Sequence, residues 1–332
     1  MPKNHERKTF LITGGAGFIG SHLSEFLLRH GHRVLIIDDL STGNIENVSH
    51  LLENKNFHFA RASITDDIVL DRLASESEII IHLAAAVGVK LIVKHPVHTI
   101  ETNVIGTHKV LRSAHRYRCR VLLASSSEVY GKGNSVPFKE EDDVVLGSTS
   151  KCRWAYAESK MIDESLALAY KQEFGLDVIP FRLFNTVGPK QTGQYGMVIP
   201  RFVKQSLNND PITVYGDGSQ KRCFCDIRDV VCAIVGLAES DEASGKVFNI
   251  GSQEEISIMN LAKKIKEKTN SPSEIKIVPY ALAYDDGFED MQYRKPNIER
   301  INALISWKSN YSLDEILNEV IIYERNKNVK FN

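Results

Sequence analysis

The chain has 332 residues, with 41 Lys plus Arg against 42 Asp plus Glu, so its formal net charge is −1. That balance lacks the basic excess of a nucleic-acid-binding surface or a polybasic membrane anchor, and no run reaches the roughly 18 apolar residues that span a bilayer. A hydrophobic share of 42% is ample for a packed core, and the length suits an α/β domain with a smaller lobe attached. The charged N-terminus leads straight into a strand, so the reading is a soluble, cytoplasmic protein. Five cysteines, with Cys223 and Cys225 the one close pair, fit reduced thiols and no metal site.

In chain order, the short apolar run Thr9–Thr13 meets three glycines, Gly14, Gly17 and Gly20, and then an amphipathic stretch from Ser21 to His30 closed by Gly31. A second apolar run, Arg33–Ile37, ends in Asp38-Asp39. Further buried strands are expected over 57–60, 78–83, 120–124 and 177–182, with helical segments between them. Strand and helix alternating in this way predict a Rossmann-type, doubly wound parallel sheet. From about residue 186 the composition shifts toward Gly, Pro, Gln and Asn, which predicts a smaller α/β lobe over 186–332 beside a first domain over 1–185. Within that lobe, residues 223–251 are expected to cross back to the sheet, and a polar tail is expected from Asn326.

The glycine triplet follows a strand and opens a helix. Gly14 then makes the tight turn, Gly17 admits a pyrophosphate, Gly20 lets helix and strand pack closely, and the helix N-terminus turns its partial positive charge toward phosphate, with Phe18 and Ile19 between the glycines counted among the cofactor-binding residues. Asp38 lies 18 positions beyond Gly20, at a strand end, where a carboxylate accepts from ribose hydroxyls and repels a 2′-phosphate. The cofactor read from this arrangement is NAD. Tyr156 and Lys160 stand four apart in a helical pattern, so one helix face carries both, and a cation beside a phenol favours the phenolate that removes a proton from a hydroxyl. Upstream, Ser125, Ser126, Ser127 and Glu128 leave another strand at the edge where ligands bind in such sheets.

These motifs, Thr13-Gly14-Gly15-Ala16-Gly17-Phe18-Ile19-Gly20 first among them, resemble the extended short-chain dehydrogenase/reductase family, and the resemblance covers most of the chain. It implies a catalytic set of Ser126, Tyr156 and Lys160. It implies that Leu83, Ala84 and Ala85, after His82, lie beside the nicotinamide ribose, and that Asn103 supports the cofactor site. Ser63-Ile64 stands where the family usually has an acidic and an apolar residue against adenine. The helices carrying Asn103 and Tyr156 imply a homodimer.

The second half resembles the nucleotide-sugar branch, through Val214–Arg222, Asp226–Val230 and Arg182–Pro189. By that resemblance Asn185 and Ser127 meet the sugar nucleotide, Arg222 its diphosphate and Arg294 the sugar. Glu128 is similar to the Glu of dehydratases and of UDP-glucuronate decarboxylases, which implies that it joins the catalytic set, and Arg294-Lys295-Pro296-Asn297-Ile298 followed by Trp307 looks like the decarboxylases. The loop Ala86-Val87-Gly88-Val89-Lys90 looks nearer to the epimerases. The reading is therefore transient oxidation at sugar C4 of a UDP-sugar, with UDP-glucuronate decarboxylation first and 4-epimerisation or 4,6-dehydration as alternatives.

Overall fold

The structure, a computed structural model, describes residues 6–88, 94–193, 197–279, 291 and 293–329; Val89 and Lys90 of the epimerase-like loop lie outside them. The first half contributes β1 (Thr9–Thr13), β2 (Arg33–Ile37), β3 (Phe57–Ala60), β4 (Ile79–His82), β5 (Arg120–Ser126) and β6 (Val178–Leu183). The second contributes β7 (Thr186–Val187), β8 (Ile212–Tyr215), β9 (Lys221–Cys223), β10 (Cys225–Asp226), β11 (Phe248–Ile250), β12 (Glu255–Ser257) and β13 (Ile275–Val278). Seven of these form one sheet in the order β11-β6-β5-β4-β1-β2-β3, and every adjacent pair is parallel.

Such strands are buried on both faces, which is why they read as nearly unbroken apolar runs. Alternation within the runs decides which face each side chain serves. Phe10 and Ile12 of β1 and Val34 and Ile36 of β2 pack against α1 (Phe18–Arg29), α7 (Ile227–Glu239) and α9 (Glu299–Ile305). Leu11, Leu35 and Ile37 pack on the opposite side against α2 (Asp67–Ser75), α4 (Gly106–Tyr117) and α5 (Ala155–Phe174). A further core joins α6 (Val198–Leu207), α8 (Ile258–Thr269) and α10 (Leu313–Val329) to β8. The helical turns from α3 (Pro96–Ile100) pass through a wide i→i+5 turn, Glu101–Ile105, into α4.

Three boundaries differ from the sequence pattern. Helix α1 starts at Phe18, because Gly17 in extended conformation caps it directly after the glycine turn. Strand β5 runs on to Ser126, since Ser125 and Ser126 still pair with Arg182 and Leu183 of β6. The last helix continues to Val329 where a polar tail is expected, and Lys327 sits favourably in its last turn, where a cation meets the negative end of the helix dipole.

The strand order reverses at β1, with β2 on one side and β4 on the other. The crevice beyond the carboxyl ends of β1 and β4 is where this architecture binds ligands.

Candidate active site

A cavity of about 810 Å³ opens at that crevice, near the upper end of the roughly 300–1,000 Å³ usual for ligand pockets. One half is lined by Gly14, Gly17, Phe18, Ile19, Asp38, Ser63, Ile64, Leu83, Ala84 and Ala85. Gly14 has φ +68°, and a Cβ there would lie 2.9 Å from the Ala84 amide nitrogen, so glycine alone fits where the turn meets the strand-end loop. Among the described residues no side chain caps α1, and its first turn carries no acid, which leaves that helix end open to an anion from the cavity.

Asp38 is buried at the end of β2, and its carboxylate accepts from the amides of Ala16 at 2.9 Å and Leu40 at 2.8 Å. Burial pushes its pKa up, and those amides oppose the shift. Each oxygen keeps acceptor capacity for a ribose hydroxyl. This half therefore fits a dinucleotide.

Asn103 does not face the cavity. It lies fully buried behind it in the wide turn, accepting from the Ala86 amide at 2.8 Å and donating to Ser159 Oγ at 2.9 Å. Ser159 in turn donates to the Tyr156 carbonyl at 2.8 Å. Its amide thus ties the strand-end loop to the helix that carries Tyr156, a structural rather than a direct cofactor contact.

At the junction of the two halves, Tyr156 and Lys160 line the cavity from the first turns of α5, and the Tyr156 phenol hydrogen-bonds to the Ser126 hydroxyl. Ser126 also accepts from the Glu128 amide at 3.2 Å, capping the turn Ser127–Tyr130. Lys160 is buried and donates to Asp163 Oδ2 at 3.1 Å. Burial first, and then the negative charge of Glu128, raise the Tyr156 pKa well above its ordinary value. The phenol is therefore neutral in the protein alone, and the expected phenolate needs positive charge brought in with a ligand. His82 is locked between Thr13 Oγ1 at 2.7 Å and Thr107 Oγ1 at 3.0 Å, and burial drops its pKa to about 3, so it stays neutral.

The other half is lined by Ser127, Glu128, Arg153, Asn185, Arg222 and Arg294, among others. Glu128 receives Arg153 Nη1 at 2.6 Å and Arg294 Nη2 at 2.7 Å, and the three side chains are 13%, 3% and 13% exposed. Burial works against the charged form, but the two guanidiniums outweigh it and hold the carboxyl down at about 2. Arg294 also donates to Asn185 Oδ1 at 3.3 Å, while its buried Nε has no hydrogen-bond partner among the described residues. Asn185 has φ +28°, is anchored by its amide to the Cys223 carbonyl at 2.8 Å, and so presents its oxygen to Arg294.

Arg153 was not singled out from the sequence. It precedes Tyr156 by three residues, a spacing that puts both on one helical face, and that signal was available. Two further buried groups escaped. Glu164 forks with Arg182 Nη2 at 2.7 Å and accepts from the Ser125 hydroxyl, bracing the end of β5 from behind. Nothing in the local sequence marks them as partners, because they stand 18 to 39 positions apart.

The family model described as GDP-mannose 4,6 dehydratase matches residues 11–320. The chain belongs to that family. It is accordingly an NAD-dependent enzyme of the nucleotide-sugar epimerase, dehydratase and decarboxylase group. This family member is 41% identical over 96% of its length to a UDP-N-acetyl-alpha-D-glucosaminuronate decarboxylase of Bacillus cytotoxicus, 98% of which is covered. It is 37% identical over 96% of its length to UDP-glucuronic acid decarboxylase 1 of Xenopus tropicalis, 73% of which is covered. Among solved structures it is similar to the UDP-glucuronic acid 4-epimerase of Bacillus cereus in complex with UDP-glucuronic acid and NAD, with TM-score 0.86 and 26% identity over 96% of this chain and 99% of that one. Among the described residues of the enzyme, no helix is long and apolar enough to cross a membrane.

Proposed function

We propose that this enzyme decarboxylates a UDP-hexuronate through a transient ketone at C4. The observation that carries the reading is Arg294. Among the described residues its partners are Glu128, whose charge it shares with Arg153, and the neutral Asn185, so within that set its own charge is incompletely matched beside Tyr156. A uronate carboxylate completes that match and a neutral hexose does not.

When bound, NAD supplies reversible two-electron oxidation at the sugar C4. Tyr156 takes the proton from the C4 hydroxyl, with Ser126 holding the same oxygen by a hydrogen bond and Lys160 adding positive charge from the next helical turn. The ketone so placed is β to the carboxylate, and its oxygen bears the electrons of the breaking C5–C6 bond while Tyr156 and Ser126 donate to it. Carbon dioxide leaves and C5 takes up a proton in its place; reversal of the first oxidation then restores the C4 hydroxyl, with Tyr156 returning the proton to its oxygen. Glu128, pinned in its ionised form, is a poor base for the C5 proton abstraction that a 4,6-dehydratase requires, and it serves to seat the two arginines. Ser127, Asn185 and Arg222 hold the sugar nucleotide, Arg222 at its diphosphate.

A second reading, 4-epimerisation of the same uronate, is favoured by the likeness to the Bacillus cereus epimerase. Incubation with UDP-glucuronate, its 2-acetamido analogue and UDP-glucose separates the two by product mass and proton NMR. Loss of carbon dioxide supports decarboxylation; an unchanged mass with inverted C4 supports epimerisation. The named relatives differ at C2, so both uronates are assayed.

The same reading includes a homodimer. Val97, Ile100 and Ile105 on the Asn103 side and Ile162 and Phe174 on α5 are exposed, Val97 to 67%, and paired helices would cover them. Sedimentation of the enzyme tests this, and a monomer that stays monomeric with NAD and UDP-sugar bound contradicts it.

A further inference from the structure

Behind Arg294 lies a fully buried amide that the chemistry above does not use. Asn249, in β11, accepts from the Tyr130 hydroxyl at 2.8 Å and donates to the carbonyls of Phe138 at 3.0 Å and Asn297 at 3.2 Å. Its backbone nitrogen donates to Glu140 Oε1 at 2.9 Å. Phe138 and Pro296 form a parallel bridge, in which the Phe138 amide donates to the Lys295 carbonyl and the Asn297 amide to the Phe138 carbonyl, both at 2.8 Å. Tyr130 stacks on Phe138 with ring centroids 4.6 Å apart, and the Arg182 guanidinium covers the Tyr130 ring at 4.7 Å.

The two ends of this clasp are the two ends of the ion pair. Tyr130 closes the turn that begins at Ser127 and carries Glu128, and Asn297 follows Arg294 by three residues. An asparagine amide offers one acceptor and two donors in a fixed fork, which matches one hydroxyl and two carbonyls; alanine leaves all three without a partner, and aspartate turns an oxygen toward a carbonyl.

We propose that Asn249 is a positioning residue that sets the reach of Arg294 to Glu128 and, through it, the preference for a carboxylate-bearing sugar. The proposal rests on the reading of Arg294 as the uronate partner. The test is a double-mutant cycle on the NAD-loaded enzyme, comparing wild type, Asn249→Ala, Arg294→Ala and the double variant. Affinities for UDP-glucuronate and UDP-glucose are measured by calorimetry, with kcat and KM where turnover persists.

Asn249→Ala is expected to weaken UDP-glucuronate about 10-fold, raise KM more than it lowers kcat, and leave UDP-glucose within about twofold. In the Arg294→Ala background the same change should add less than about twofold. Equal weakening of both sugars, or the same factor in both backgrounds, overturns the proposal. Tyr130→Phe removes one hydrogen bond of the clasp and keeps its volume, so it carries the cycle if Asn249→Ala does not fold: a selective loss of about threefold supports the proposal, and no loss or an unselective one overturns it. A wild type that binds both sugars equally overturns the charge reading and this proposal together. A preference that survives in Asn249→Ala overturns this proposal alone.

Discussion

The two halves of the cavity are built on opposite principles. The dinucleotide half is made mostly of neighbours in sequence: a strand, a glycine turn, a helix end and one carboxylate at the next strand's end, with the carboxylate answered by backbone amides. The sugar half is made of charges that meet only in the folded chain. Glu128 finds Arg153 from 25 positions away and Arg294 from 166. Main-chain geometry therefore sets the first half, whereas the second depends on long side chains whose burial is stable only while each charge has its counterpart. The junction, Tyr156, belongs to both.

Changing the junction should have the largest effect. Tyr156→Phe is expected to lower kcat by about 10³-fold, the scale of losing a general acid–base group, with NAD affinity unchanged by calorimetry. Next comes the charge cluster: Glu128→Gln leaves two guanidiniums facing a neutral amide and should lower kcat/KM for the uronate on the order of 100-fold, without altering NAD binding. An unchanged rate would remove Glu128 from both the decarboxylase and the dehydratase readings. In the other half, Asp38→Ala should weaken NAD roughly 10-fold, by loss of hydrogen bonds to a charged acceptor, and spare the affinity for UDP-sugar.

The smallest effect concerns pH. Glu128 has a folded pKa of about 2 against an ordinary 4.5. Its stabilising contribution is therefore complete above 4.5 and is lost as pH falls from there through about 2. Acid unfolding followed by circular dichroism should begin at higher pH for wild type than for a Glu128→Gln protein corrected for its lower starting stability. The rate profile of wild type should show no acidic limb from this group at pH 5 and above. A limb there that vanishes in Glu128→Gln would contradict the clamp.

The same contrast explains what could be read before the fold was known. The parallel sheet and the glycine turn were legible because hydrophobic period and turn chemistry are local properties, and every expected cofactor residue except Asn103 lines the cavity. Asn103, expected to support the cofactor site, lies behind the cavity and ties the strand-end loop to the helix of Tyr156; an amide on a helix looks the same in sequence whether it meets a ligand or a backbone. Arg153 was overlooked although its spacing from Tyr156 was visible, whereas Glu164 and Asn249 were missed because their partners are set by tertiary contact, and residue type alone does not announce a buried ion pair or a three-way amide clasp. The start of α1 at Phe18 was also out of reach, since it depends on Gly17 taking an extended conformation.

The central claim is that the incompletely matched charge of Arg294 beside Tyr156 selects an anionic sugar for decarboxylation. Its most direct test is the mass of the products after the purified enzyme meets NAD with UDP-glucuronate, the 2-acetamido uronate and UDP-glucose in parallel. The account predicts a product lighter by one carbon dioxide from a uronate and no product from UDP-glucose. Turnover of UDP-glucose with inversion at C4, and uronates left intact, would contradict it.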